Sequence, residues 1–280
     1  MGLGSSCVHD PNLRERCPRR HPVLAETGGA CVAAPVSLAS AAMTVKKSTK
    51  SGPKPKTAKR RPRKMPKDWV APFFEILAAA DPEPKTELNY TSPYTLVVAV
   101  ALSAQATDKG VNLATEKLFK LADTPEKMVA LGEARVRDLI KTIGLFRNKA
   151  KNAVALSQKL IDEFGGEVPH TREELESLPG VGRKTANVVL NVAFGEATIA
   201  VDTHIFRVSN RTRLAPGKDP LAVELALEKA VPTRYKLHAH HWLILHGRYV
   251  CKARKPECGK CSVYKYCLWP EKAPLTPEDI

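Results

Sequence analysis

Lys184 stands in a stretch, Leu178-Pro179-Gly180-Val181-Gly182-Arg183-Lys184-Thr185-Ala186, whose pattern gives an amine something to do. Pro179, Gly180 and Gly182 make a tight turn, and Lys184-Thr185-Ala186-Asn187-Val188-Val189-Leu190 then reads as a buried helix. The amine falls in a first helical turn, where unpaired N–H groups carry the positive end of the helix dipole. A cation is mildly unfavourable there, and the neutral amine is the nucleophile. The same turn, with Gly180, Val181, Gly182, Arg183 and Thr185 in it, is a ready seat for a phosphate. Eighteen residues beyond Lys184, Val201-Asp202-Thr203-His204 opens another helix. Asp202 suits its N-cap. A carboxylate in that place can also assist proton transfer and stabilise growing positive charge.

Two familiar glycine motifs fail on inspection. A Walker A loop needs Gly directly before the Lys, where Arg183 stands; a dinucleotide fingerprint needs a third Gly where Thr185 stands. What remains is either a plain turn between two core helices with a solvated lysine or a turn that seats a phosphate.

The second group is Cys251, Cys258, Cys261 and Cys267, spaced C-x6-C-x2-C-x5-C, with Pro256 and Gly259 turning the chain between them. Four thiolates so close can wrap one metal centre, and the spacing leaves both structural zinc and an iron–sulfur cluster open. Nothing upstream reads as secretory, which argues against a disulfide framework. Lys252, Arg254, Lys255, Lys260 and Lys265 lie among the ligands, where they offset thiolate charge and can meet phosphates. His238, His240, His241 and His246 share one apolar helix with no carboxylate pattern nearby, so they read as packed histidines rather than metal ligands.

The net charge of +15 on 280 residues points to a polyanionic partner, but its location matters. Residues 1–66 carry 14 Lys and Arg against 3 Asp and Glu, whereas residues 67–280 carry 30 against 26. The basicity is therefore mostly in an extension, and the motifs must carry any claim about DNA. Residues 1–42 show no helical or strand period, and residues 43–66 run from Lys46-Lys47 to Lys59-Arg60-Arg61-Pro62-Arg63-Lys64. Residues 1–66 are expected to be a disordered basic extension. Met43 offers a second start, which would leave residues 1–42 untranslated. The run ending Val32-Ala33-Ala34-Pro35-Val36 is too short for a membrane span.

The elements that must position these groups are helices. Ser92-Pro93 opens the apolar run Tyr94 to Leu102, Thr124-Pro125 repeats the device, and Thr171 with Glu174 makes a capping box. Arg135 to Ile143, Arg147 to Phe164, Val201 to Arg213, Pro220 to Ala230 and Tyr235 to Val250 carry apolar residues at three- and four-residue spacing. Gln105 sits between two helices, with Thr107 or Asp108 as cap of the second. Gly144 leaves Leu145 or Phe146 on a loop, as a core contact or a wedge between bases. The expected fold class is all-α.

The hairpin, Val201-Asp202-Thr203-His204 and the four cysteines together resemble the endonuclease III family of the helix–hairpin–helix DNA glycosylase superfamily, over roughly residues 66–270. The resemblance implies two helical domains with a DNA-binding cleft between them. One is a six-helix domain at 86–196 that holds the hairpin. The other is an iron–sulfur domain of 67–85 plus 197–270, followed by a tail at 271–280. It implies a 4Fe-4S cluster on Cys251, Cys258, Cys261 and Cys267. Gln105 would fill the gap left by an extruded nucleotide and Leu145 would be the wedge. The implied activity is a base-excision repair glycosylase and abasic-site lyase. It acts as a monomer on oxidised pyrimidines in double-stranded DNA, in the cytoplasm of a bacterium, or in the nucleus or a mitochondrion of a eukaryote. Lys184 would attack C1′ as nucleophile and Asp202 would support it. The rivals are a sibling glycosylase for adenine or mismatched thymine, which would lack the lysine, a non-catalytic DNA-binding module, and an iron–sulfur electron carrier. The pairing of Lys184 with Asp202 argues against all three.

Overall fold

The structure, a computed structural model, describes residues 64–277, and the basic extension and the alternative start at Met43 fall almost wholly outside them. Among the described residues all regular structure is helical. The chain runs through α1 (Lys67–Ala80), α2 (Pro93–Ser103), α3 (Asp108–Phe119), α4 (Pro125–Leu139), α5 (Phe146–Phe164) and α6 (Arg172–Glu176). It continues through α7 (Arg183–Phe194), α8 (Thr203–Thr212), α9 (Pro220–Ala230) and α10 (Thr233–Tyr249), with two short 3₁₀ turns in the cysteine-rich end.

Local sequence explains most of the helix starts. The Ser92 hydroxyl accepts from the Thr95 N–H, and Pro93 occupies the first helical position, where a missing N–H costs nothing. Thr107, Thr124, Thr171 and Asp219 cap α3, α4, α6 and α9 in the same way. α2 is buried nearly all round, from Tyr94 through Val100 and at Leu102, as a helix apolar on every face must be.

Several boundaries differ from the sequence reading. Of the 67–85 segment that the resemblance places in the second domain, only Lys67–Ala80 is helical. α4 starts at Pro125 and bends at Gly132, whose φ of 75° breaks the helical track, and it ends at Leu139, short of Ile143. Order also begins before residue 67: Met65 is buried, and its N–H donates to the Arg213 carbonyl at 2.7 Å.

Two separate apolar cores form. One gathers α2, the inner faces of α3 to α5, and α7, with Leu96, Val97, Leu118, Met128, Ile140, Leu156 and Leu175 completely buried. The other joins α1 to α8, α9 and α10 around Phe73, Phe74, Ile205, Val208, Leu227 and Leu243. Sequence-distant α1 thus belongs with the C-terminal half of the chain. α7 lies in the first core and α8 in the second, with the segment 195–202 passing between.

Candidate functional site

The hairpin consists of α6, a turn over residues 177–182, and α7. Arg172 Nε donates to Asn187 Oδ1 at 2.8 Å and ties the two helices together. Gly180 has φ +80°, and a Cβ there would lie 2.9 Å from Asn152 Nδ2, so both backbone and space require glycine. The Val181 N–H is spent on the Leu178 carbonyl at 3.0 Å, and the Val181 side chain is buried. Gly182 is the N-cap of α7 and has no side chain to close the first turn. The N–H groups of Arg183, Lys184 and Thr185 are left for an external acceptor.

Lys184 is exposed in that first turn, and among the described residues its amine has no ion pair or hydrogen bond. Asp202 N-caps α8: its Oδ1 accepts from the N–H groups of His204 and Ile205, both at 2.8 Å. Among the described residues no protein group bonds Oδ2. Lys184 and Asp202 line one open cleft of about 550 Å³ together with Ser103, Gln105, Phe206 and Pro220. An unpaired amine and a carboxylate with one free oxygen share a space large enough for a nucleoside.

At the mouth of this cleft two loops carry unusual backbone. Gln105 has φ 54° and Leu145 has φ 57°; Arg213 is the third non-glycine residue at positive φ among the described residues. Both Gln105 and Leu145 are exposed, Leu145 to 57%, although leucine in that conformation is neither sheltered nor relaxed. The loops adjoin, since a Cβ on Gly144 would sit 3.7 Å from the Gln105 carbonyl oxygen.

Further polar contacts cross between the two cores. Arg183 Nε and Nη2 donate to Glu224 Oε1 at 3.0 and 2.7 Å, so the guanidinium is engaged inside the protein. Arg248 of α10 pairs with Asp108 at the start of α3 and with Glu87, which also accepts from the Tyr249 hydroxyl. Sequence reasoning missed Glu224 and Arg248, and its only available signal was an acid and a base inside otherwise amphipathic helices.

The four cysteines line one small cavity, walled otherwise by His246, Val250, Tyr264 and Trp269. None of the four is in a disulfide. Burial pushes the Cys261 thiol up to about 12, with the neighbouring sulfurs adding to it, and burial likewise raises Cys267. Such a pocket resists holding thiolates by itself and suits a cationic centre that would neutralise them. α8 braces this loop. Arg207 donates to the Cys251 and Gly247 carbonyls at 2.9 and 2.7 Å, and Arg211 donates to those of Lys252 and Ala253 at 2.7 and 2.8 Å. Arg211 also stacks 4.1 Å over Trp269.

His240, His241 and His246 are buried in α10, as packed histidines would be. Burial pushes His240 down to about 3 and His241 to about 4, so both are neutral imidazoles at ordinary pH.

The hairpin and its cleft define a class. Residues 98–233 match the HhH-GPD superfamily of base excision DNA repair proteins, and residues 251–267 match the iron–sulfur binding domain of endonuclease III. Endonuclease III of Haemophilus influenzae is 59% identical over 196 residues, which is 70% of this chain and 93% of that protein. That of Escherichia coli K12 is 57% identical over 195 residues, 70% and 92% of the two chains. A trapped covalent endonuclease III–DNA intermediate superposes with a TM-score of 0.69 at 44% identity, covering 72% of this chain and 96% of that one. A thermostable thymine-DNA glycosylase reaches a TM-score of 0.64 at 26% identity, over 74% and 97%. The chain belongs to the endonuclease III family. Its four-cysteine loop is accordingly the site of a 4Fe-4S cluster.

Proposed function

We propose that Lys184 and Asp202 are the catalytic residues of a base-excision repair enzyme that is both DNA glycosylase and abasic-site lyase. The observation that carries the reading is the shared cleft: an amine without a partner and a carboxylate with one open oxygen line the same space. The family assigns the activity, and the lysine separates this chain from siblings that activate water alone.

The substrate is double-stranded DNA carrying an oxidised pyrimidine or an abasic site. Its nucleotide leaves the stack because C1′ cannot be reached inside the duplex. Leu145 wedges into the stack and Gln105 fills the gap. The free N–H groups of Arg183, Lys184 and Thr185, in the turn shaped by Gly180, Val181 and Gly182, hold backbone phosphate. The Lys184 Nζ lone pair forms a bond to C1′ while the C1′–N bond to the base breaks, and the base leaves with a proton. Asp202 stabilises positive charge growing on the sugar and relays protons to and from the amine. Ring opening gives an imine between Lys184 and C1′, which acidifies the C2′ proton. Loss of that proton expels the 3′ phosphate by β-elimination, and water then releases the lysine. The 4Fe-4S cluster supplies structural cross-linking when bound, and Cys251, Cys258, Cys261 and Cys267 would hold it; α8 and α10 keep that loop beside the DNA-facing surface. We read the two cores as the two domains of the sequence-level division, and the protein as a monomer. No described helix is long and apolar enough to cross a membrane. The relatives are bacterial, and a cytoplasmic, nucleoid-associated enzyme fits them.

Borohydride treatment with duplex DNA holding one abasic site tests the mechanism. Wild-type protein should give a covalent band and Lys184→Gln none. A band of undiminished yield in Lys184→Gln would move the nucleophile elsewhere.

A further inference from the structure

Arg183 is the residue before the nucleophile, and its side chain does not point to a ligand. Two nitrogens of the guanidinium engage Glu224: Nε lies 3.0 and 3.3 Å from the two carboxylate oxygens, and Nη2 lies 2.7 Å from Oε1. The Glu224 side chain is only 5% exposed, while that of Arg183 is 39% exposed. An ion pair between two solvated residues would contribute little; a buried carboxylate is different, because it cannot be left without its cation. The planar fork also fixes direction, which a lysine in its place would not.

The connection made by this pair is specific. Arg183 is the first residue of α7, whose N-cap Gly182 provides no side-chain bond to hold the turn. Glu224 belongs to α9, which packs on α8, the helix capped by Asp202. Pro220, the first residue of α9, lines the same cleft as Lys184 and Asp202. One two-toothed contact therefore ties the turn that carries the amine, in one core, to the helices that carry the carboxylate, in the other.

We propose that Arg183 and Glu224 form a positioning pair that sets the aim of Lys184 toward Asp202 across the cleft. Arg183 then meets DNA through its backbone N–H alone, and its guanidinium is not a phosphate ligand. The inference rests on Lys184 and Asp202 being the reacting groups. Misplacing a reactive group by an ångström can cost about a hundredfold in rate without weakening binding.

The test measures single-turnover excision at saturating enzyme, borohydride trapping, and the salt dependence of binding to a duplex with a non-cleavable abasic analogue. Glu224→Gln, which changes a residue too buried to touch DNA, should slow the single-turnover rate by about tenfold or more. Its affinity for the analogue should stay within about twofold and its salt slope should not change. Arg183→Lys, which keeps a cation over the carboxylate and so guards against misfolding, should fall between Glu224→Gln and wild type. The exchange Arg183→Glu with Glu224→Arg should recover part of the rate. Wild-type single-turnover rates in Glu224→Gln and Arg183→Lys, even with lowered thermal stability, would reduce the pair to a structural contact and overturn the inference. An Arg183→Gln variant with full rate and a salt slope shallower by about one unit would make Arg183 a phosphate ligand and overturn it equally. Lys184→Gln run alongside keeps the two ideas apart: persistent trapping there sinks the mechanism itself, whereas full rates in the pair variants sink only the positioning role.

Discussion

Asp202 holds two positions at once, and the two can be separated. Its Oδ1 closes the first turn of α8 through two backbone N–H groups, a contact that an amide oxygen can copy. In the proposed mechanism its negative charge is what the reaction needs. Asp202→Asn should therefore keep the helix cap and the melting temperature while slowing base excision by about a hundredfold or more. Asp202→Ala should lose the cap as well, lowering stability by about 1 kcal/mol. Thermal unfolding and single-turnover excision measured on both variants decide it; an Asn variant that is unstable yet fully active would leave Asp202 a cap and nothing else. The place of Lys184 in the first turn of α7 and the cap role of Asp202 were legible in the sequence because a Gly-rich turn and an Asp-Thr opening are local patterns. Glu224 was not, because it meets Arg183 across 41 residues of sequence and no local period records such a pairing. The left-handed backbone of Gln105 and Leu145 was equally hidden, since neither residue type advertises a positive φ.

α10 shows the same division at the level of an element. Its existence follows from apolar spacing, but the state of its histidines follows from tertiary burial. His240 faces His241, Lys184 and Arg248, and His241 faces His238 and Asp81; burial dominates over these charges and holds both imidazoles neutral down to about 3 and about 4. In the unfolded chain they protonate from their ordinary value of 6.5 downward. Between those limits the unfolded state binds more protons, so stability is full above pH 6.5 and falls as pH drops toward 4. Each histidine contributes a slope approaching 1.4 kcal/mol per pH unit, roughly the value of one proton. Thermal unfolding between pH 7.5 and 5 should show a steeper loss for wild type than for His241→Gln, which cannot take up the proton; equal slopes would mean that His241 is accessible to protons in the native state. The other helices follow the same rule. Starts marked by Ser92, Thr124 and Asp219 with a following proline were readable, because the cap is a contact within one turn. The bend at Gly132, a glycine at φ 75°, and the end of the first helix before Asp81-Pro82 have local causes that apolar spacing alone does not report.

For the whole molecule, the distribution of charge separates two sources of DNA affinity. The described part holds Lys184 and Asp202 in one cleft, and the rest of the sequence carries most of the basicity. Residues 1–63 contain 13 Lys and Arg against 3 Asp and Glu, a net of +10 out of +15. With few apolar residues there to form specific contacts, any contribution to binding comes from phosphate neutralisation and counterion release, which is blind to sequence and to damage. Removing residues 1–63 leaves Met65, which is buried against the second core, and the entire cleft in place. Excision and strand cleavage at saturating enzyme should then be nearly unchanged. Affinity for undamaged duplex should drop, and the slope of log K against log salt should become shallower by about 0.9 for each phosphate that is no longer neutralised. Titrations of full-length and shortened protein across a range of salt concentrations read this directly. An identical slope would show that the basic segment does not touch DNA. A loss of turnover at saturation would show instead that part of it completes the active fold, and the division between a catalytic body and an electrostatic extension would have to be redrawn.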